Sequence, residues 1–320
     1  MNGKERFRQF LAGETFRDGV PAAFFQHFGP TRRHGEAALQ AQMTFYRATD
    51  MDMVKIMFDD IYPAISGINC AKDWAGVPRF SQQDPVFTQQ IELASRVVEA
   101  VDGSAPVFQT IFSPFVSAGC AVSPILRWDE KITPHLLQEP SIVQDTLEGI
   151  ADVLAEFAQR ISATGIDGFY VSLQGGEYKR YSQELFLERL KPTDLMLLRA
   201  LQSTGKLVFL HICGTGMRLE DYYDYPGDIV NLAVHGNQIT LAQAKERFGR
   251  PIMGGLDNNG CIVNGTRQQI EEEVQRTLRQ APDGCMLGAD CTIPIDVPVE
   301  HLVWAVQAAH AYTVQEECHA

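Results

Sequence analysis

The sequence predicts a (β/α)8 barrel with an N-terminal helix over one end, forming a single domain across residues 1–320. Three observations lead there. Eight short apolar runs, bounded by Gly, Pro or Asp, alternate with stretches of helical periodicity along the chain. No internal repeat, low-complexity tract or long linker divides it. Reactive side chains gather after nearly every apolar run, as they do at the mouth of such a barrel. An open doubly wound sheet has the same alternation, but its dinucleotide fingerprint is missing. Gly214-Thr215-Gly216 continues as Met217-Arg218-Leu219 without a third glycine, and no GxxxxGK[ST] occurs.

The chain opens with an amphipathic helix over residues 3–11. The strand runs are 20–27, 51–58, 106–112, 168–173, 206–212, 229–234, 251–256 and 284–288. Near-continuous apolar runs of this length suit parallel strands buried on both faces. Helical periodicity covers 36–48, 140–164, 182–203, 241–248, 267–280 and 299–312. Thr266 supplies an N-cap for the helix that runs through Glu271, and Pro298 suits the start of the last one. The longest gaps follow the second and third runs, where insertions are expected.

Composition narrows the function. Apolar residues make up 45% and charged residues 21%, a globular balance. With 27 basic and 40 acidic residues the formal charge is −13, which argues against a nucleic-acid partner or an anionic membrane surface. No apolar run approaches the ~18 residues of a membrane span. The start, MNGKERFRQFLAGE, lacks a signal peptide's apolar centre. Seven cysteines, an odd count scattered over the chain, fit reduced thiols and a cytoplasmic location.

The reactive residues are positional. Asp59-Asp60 follows the second run, Glu177 the fourth, His211-Ile212-Cys213 closes the fifth, His235 ends the sixth, Asp257 follows the seventh and Asp290-Cys291 the eighth. His211 and Cys213, two apart on a strand, point to one face. Cys291 arrives from another strand end. One His and two Cys form a ligand set that zinc favours, with a fourth position open as in catalytic rather than structural sites. Ordinary core packing of a His and two Cys is the competing reading. Cys70, Cys120, Cys261, Cys285 and Cys318 lack such spacing and read as ordinary small residues.

The segments LVFLHICGTG, PIMGGLDNNGCIVNGTRQQIEEEV and MLGADCTIPIDVPVEHL resemble the uroporphyrinogen decarboxylase superfamily, within it the corrinoid-dependent methyltransferases that act on coenzyme M or related thiols. The resemblance implies a (β/α)8 barrel with a mouth-facing zinc on His211, Cys213 and Cys291 that binds the substrate thiol. It also implies a corrinoid co-substrate. No Asp-x-His-x-x-Gly motif occurs, so the corrinoid would arrive on a separate carrier protein docking at the mouth. A homodimer is implied too. Glu177 is a candidate fourth ligand or proton acceptor, with a solvated loop carboxylate as the alternative. Asp60, which matches the decarboxylases' pyrrole-binding aspartate, and His235 are candidates for orienting substrate or ligands. Asp59, Asp257 and Asp290 receive no role.

The departures from the decarboxylases are specific. Where those carry an Arg-Gln-Ala-Gly-Arg stretch, this chain has Phe24-Phe25-Gln26-His27-Phe28-Gly29, with no arginine before Arg32-Arg33. Gly288-Ala289-Asp290-Cys291 replaces the stretch around their late histidine. A polycarboxylate substrate would lose its charge-assisted contacts. A porphyrinogen carboxy-lyase is therefore the second expectation. A non-catalytic barrel that binds a tetrapyrrole or a corrinoid protein is the third.

Overall fold

Among the described residues seven strands, all parallel, hydrogen-bond to their neighbours in chain order: β1 (Val54–Ile56), β2 (Val107–Phe112), β3 (Gly168–Leu173), β4 (Leu207–Ile212), β5 (Ile229–Leu232), β6 (Ile252–Leu256) and β7 (Cys285–Ala289). This is a computed structural model, and it describes residues 1–14, 16 and 19–313. Every residue of β3, β5, β6 and β7 is buried, as the continuous apolar runs require. Gly168 pairs with Phe108 on one side and Leu207 on the other. A Cβ there would strike the Phe108 ring and the Leu207 carbonyl, so the close approach needs glycine.

The eighth strand is a correction: residues 20–27 form no ladder strand. They pass as irregular chain between β7 and the start of β1. Leu287 N–H donates to Pro21 O (2.8 Å), Ala23 N–H to Leu287 O (3.1 Å) and Ile293 N–H to Phe25 O (2.7 Å). On the other side Asp52 N–H donates to Ala22 O (2.9 Å). Single bridges, Ala22 with Leu287 and Gln26 with Ile293, stand where a ladder was expected. Pro21 has no N–H to give, and the Ala22 N–H is taken by the Asp52 carboxylate at 2.8 Å. The sheet thus curls into a barrel-type arrangement of seven strands and one irregular segment.

The helix α1 (Gly3–Leu11) has the bounds its periodicity predicts. Asn2 and Glu5 form a reciprocal capping box at its start. Its Phe7 packs on Phe108 of β2 at 5.6 Å, so α1 plugs the end from which the strands begin. Then come α2 (Gly35–Thr49), α3 (Pro85–Val101), α4 (Pro114–Val122), α5 (Asp129–Gln138) and α6 (Pro140–Ser162). The 3-10 turn Ala71–Gly76 after β1, and α4 with α5 after β2, fill the gaps where insertions were expected.

The sequence predicts one helix over 182–203. The chain instead breaks into α7 (Gln183–Leu185), a π turn (Phe186–Leu190) and α8 (Lys191–Ser203). Pro192 is the cause: it cannot donate to the carbonyl four residues back, and its ring crowds that carbonyl, so the preceding turn widens. The remaining helices are α9 (Val234–Asn237), α10 (Leu241–Phe248), α11 (Cys261–Asn264), α12 (Arg267–Gln280) and α13 (Val299–His310). Thr266 caps α12 as expected. Among the described residues no helix is long and apolar enough to cross a membrane.

One acid lies inside the helical shell. Asp194 of α8 is 1% exposed; its Oδ2 accepts from Tyr225 Oη at 3.0 Å, and its Oδ1 has no partner. Burial pushes it up to about 8. A carboxyl raised in the folded state contributes stability that is complete below its unfolded value near 3.9 and is lost as pH rises to about 8. Asp194→Asn should therefore gain on the parent protein by up to about 1.4 kcal/mol per pH unit across that window, then level off. Thermal melts at pH 5 and pH 8 measure it; an offset identical at both would contradict a protonated Asp194.

Candidate metal centre

Three donors converge where the strands end. His211 is the penultimate residue of β4, Cys213 follows that strand, and Cys291 lies two residues past β7. The Cys213 N–H continues the ladder to Leu173 O at 2.9 Å. Cys291 is bracketed by Asp290 N–H on Leu256 O (2.9 Å) and Ile293 N–H on Phe25 O (2.7 Å). The backbone that carries each sulfur is thereby fixed.

Cys213 Sγ and Cys291 Sγ are 3.8 Å apart, Cys291 Sγ and His211 Nε2 are 3.7 Å apart, and all three donors lie within 4.8 Å of one another. Bonds of about 2.3 Å to sulfur and 2.0–2.1 Å to nitrogen place tetrahedral ligands roughly 3.5–3.8 Å apart. The two contacts made by Cys291 have that spacing, and the third donor pair lies within 4.8 Å. Among the described residues, no other group of three His, Cys, Asp or Glu is so arranged.

Asn231 of β5 decides which imidazole nitrogen is available. Its Nδ2 donates to Met253 O and Ala289 O, both at 3.1 Å. That leaves Oδ1 to accept, from Tyr170 Oη at 2.8 Å and from His211 Nδ1 at 2.5 Å. Flipping the amide would set its NH2 against a ring N–H and its oxygen against two carbonyls, so one orientation satisfies every group. His211 therefore carries its proton on Nδ1 and presents the Nε2 lone pair to the sulfurs. Tyr170 also stacks on the imidazole, with centroids 5.4 Å apart. Cys213 and Cys291 share one hydrogen bond; that bond, with the His211 contact, holds the Cys291 thiol well below its usual range, and the same bond together with burial pushes Cys213 well above it.

The other expected site residues do not join this group. The Glu177 carboxylate is held bidentately by Arg180, Oε2 to Nε at 3.0 Å and Oε1 to Nη2 at 3.1 Å. It borders the centre all the same, since a Cβ on Gly214 would lie 3.5 Å from Glu177 Oε1. Asp60 faces His34 Nε2 at 3.1 Å and is partly exposed. Its neighbour Asp59 is the buried one, bonded to the His27 imidazole and the Phe28 N–H. His235 Nδ1 bonds Asp290 Oδ2 at 3.0 Å. Asp290 also accepts the N–H groups of Val234 and His235 at the start of α9, so it anchors the residue before Cys291.

Sequence reasoning missed Asn231, although a lone polar residue in the run Ile-Val-Asn-Leu was a signal. It also gave Asp59 and Asp290 no role. Cys70, Cys120, Cys261 and Cys285 are free thiols outside the group. Cys318 lies outside the described residues.

Fold and site together define a parallel α/β barrel-type protein with a His-Cys-Cys group able to hold a metal ion at its mouth. The chain belongs to the uroporphyrinogen decarboxylase (URO-D) family, whose model matches residues 26–312. Among solved structures it is similar to a methyltransferase from Methanosarcina mazei, with 16% identity, a TM-score of 0.78, and 97% of this chain and 98% of that one covered. It is also similar to a B12-independent methionine synthase from Shewanella sp. W3-18-1 solved with selenomethionine, with 14% identity, a TM-score of 0.58, and coverage of 92% and 97%. At these identities the likeness is one of fold. A search of curated proteins found no match.

Two substitutions test the centre by zinc competition against a chromophoric chelator. Cys291→Ala should abolish stoichiometric binding. Asn231→Leu should weaken binding about 10–100-fold with the circular dichroism spectrum retained, because His211 loses its orienting acceptor. Unchanged affinity in Asn231→Leu would refute the tautomer argument.

Proposed function

We propose that this protein is a zinc-dependent methyltransferase, moving a methyl group between a corrinoid carried on a separate protein and a small thiol. The observation that carries the reading is the convergence of His211 Nε2, Cys213 Sγ and Cys291 Sγ within 4.8 Å of one another, a set of three donors that leaves a fourth position to a ligand. Two thiolates and one imidazole are a donor set that zinc favours, and zinc bound there would favour thiolate over thiol in an incoming substrate. The family match and the methyltransferase fold of the Methanosarcina protein agree with this reading.

The chain's own residues divide the work. His211, Cys213 and Cys291 hold the metal, and Asn231 keeps the imidazole turned towards it. Glu177, beside Gly214, takes the proton that the thiol gives up, with Arg180 holding the carboxylate in place. His235 acts through Asp290 on the Cys291 turn, and Asp60, paired with His34, orients substrate. In the forward direction the S–H bond breaks, an S–CH3 bond forms, and the electrons of the Co–C bond remain on the corrinoid. The reverse transfer uses the same groups. The reading takes residues 1–320 as one domain, in the cytoplasm, as a homodimer that receives a corrinoid carrier protein at the mouth.

Two assays test it. Incubated with methylcobalamin and a panel of small thiols, the zinc-loaded protein should demethylate the corrinoid, and Cys213→Ala should lower the rate by at least about a hundredfold, as for loss of a catalytic metal. Incubated with uroporphyrinogen, it should release no carbon dioxide above background. Porphyrinogen decarboxylation at an enzymatic rate would replace this reading with the carboxy-lyase one.

A further inference from the structure

A cation stands inside the barrel mouth with no carboxylate against it among the described residues. Lys55 is the central residue of β1. Its Nζ lies 4.4 Å from the Tyr170 ring centre and 4.7 Å from that of Phe25. The two rings meet edge to face at 5.5 Å, and Tyr170 in turn stacks on the His211 imidazole. One ring therefore separates the ammonium from a metal-binding histidine.

Attraction to two π faces offsets part of the cost of burying this charge, but only part. Burial drives the Lys55 pKa down to about 8, and the groups that pull it back up are Cys291 first, then Asp59 and Cys213. Both sulfurs of the candidate centre thus act on this ammonium. Asp59 lies beyond ion-pair distance and is engaged with His27.

The charge count of the centre supplies the missing anion. A divalent ion, a neutral imidazole and two thiolates sum to zero. A third thiolate in the fourth position makes the sum −1, and the Lys55 ammonium restores neutrality. Resting on the metal-bound thiolate of the preceding section, we propose that Lys55 is the counter-charge for an anionic sulfur ligand. It makes the centre select thiolates over neutral ligands. Lys55 is in this sense a specificity-determining, positioning residue that acts through the field at the fourth corner. Methylation turns the bound sulfur into a neutral thioether, which loses that attraction, so the charge that retains the acceptor also lets the product go.

The test uses the full chain with cobalt(II) in place of zinc and reads ligand entry from the visible spectrum. At pH 7, 2-mercaptoethanol and imidazole, an anionic ligand once bound and a neutral one, are titrated into the parent protein, Lys55→Met and Lys55→Arg. Lys55→Met should keep one cobalt per chain and its imidazole affinity, yet bind 2-mercaptoethanol about tenfold or more weakly, while Lys55→Arg stays within about threefold of the parent. Equal weakening towards both ligands would show a packing role and overturn the proposal, as would unchanged thiol affinity in Lys55→Met. Should that variant not take up cobalt, Lys55→Gln makes the same comparison. If no thiol perturbs the parent protein's spectrum, the thiol-activation reading falls as well. Thiol entry into the parent and Lys55→Met alike sinks only the role of Lys55.

Discussion

One buried amide links five of the seven strands. Asn231 stands on β5, bonds His211 of β4 and Tyr170 of β3, and donates to the carbonyls of Met253 on β6 and Ala289 on β7. It is 1% exposed, so each of its polar atoms must find a partner inside the protein. Only one amide orientation does so. That orientation sets the protonation of His211, and with it the direction of the Nε2 lone pair, so the metal-binding geometry follows from satisfying the core.

A second buried polar hub performs the corresponding task at the opposite end. Asp52, fully buried, accepts from Arg6 Nε of α1 (2.6 Å), from the Ala22 N–H (2.8 Å) and from His310 Nε2 of α13 (2.7 Å). It joins the first helix, the last helix and the irregular segment that fills the ring between β7 and β1. A ladder strand would have closed that gap through repeated backbone bonds; here a single carboxylate collects three donors instead. Removing any one donor leaves charge that burial makes costly, which is why closure at this point can do without regular pairing.

The parts that were legible in the sequence share a cause. Apolar runs such as those of β3 and β6 must be buried on both faces, and the His211–Cys213 spacing fixes a common face whatever the surroundings. What escaped depends on contacts distant in sequence. Nothing near Asn231 announces four partners on four other strands. Asp59 and Asp60 are adjacent and alike, yet one is buried against His27 and the other faces His34, a choice made by the turn that follows β1. Residues 20–27 have the composition of a strand, but Pro21 and the Asp52 side chain remove two of the donors that a ladder would use. Lys55 reads as a charge out of place in β1 until Tyr170, more than a hundred positions away, arrives over it.

The centre's rigidity bears on what a metal there could do. Its donors converge within 4.8 Å at strand ends held by ladder-type bonds, and the apolar core runs from Phe7 to Ala309 without their help. A core of that extent does not need a metal to fold, unlike small zinc domains whose binding energy is their folding energy. Metal affinity is therefore not consumed in ordering the chain. The fourth corner has no protein donor within the group, because the nearby carboxylate of Glu177 is held by Arg180. On the proposed reading, three donors held at strand ends with a cation one ring behind them leave the choice of a fourth ligand to charge and softness, the two conditions that an anionic sulfur meets.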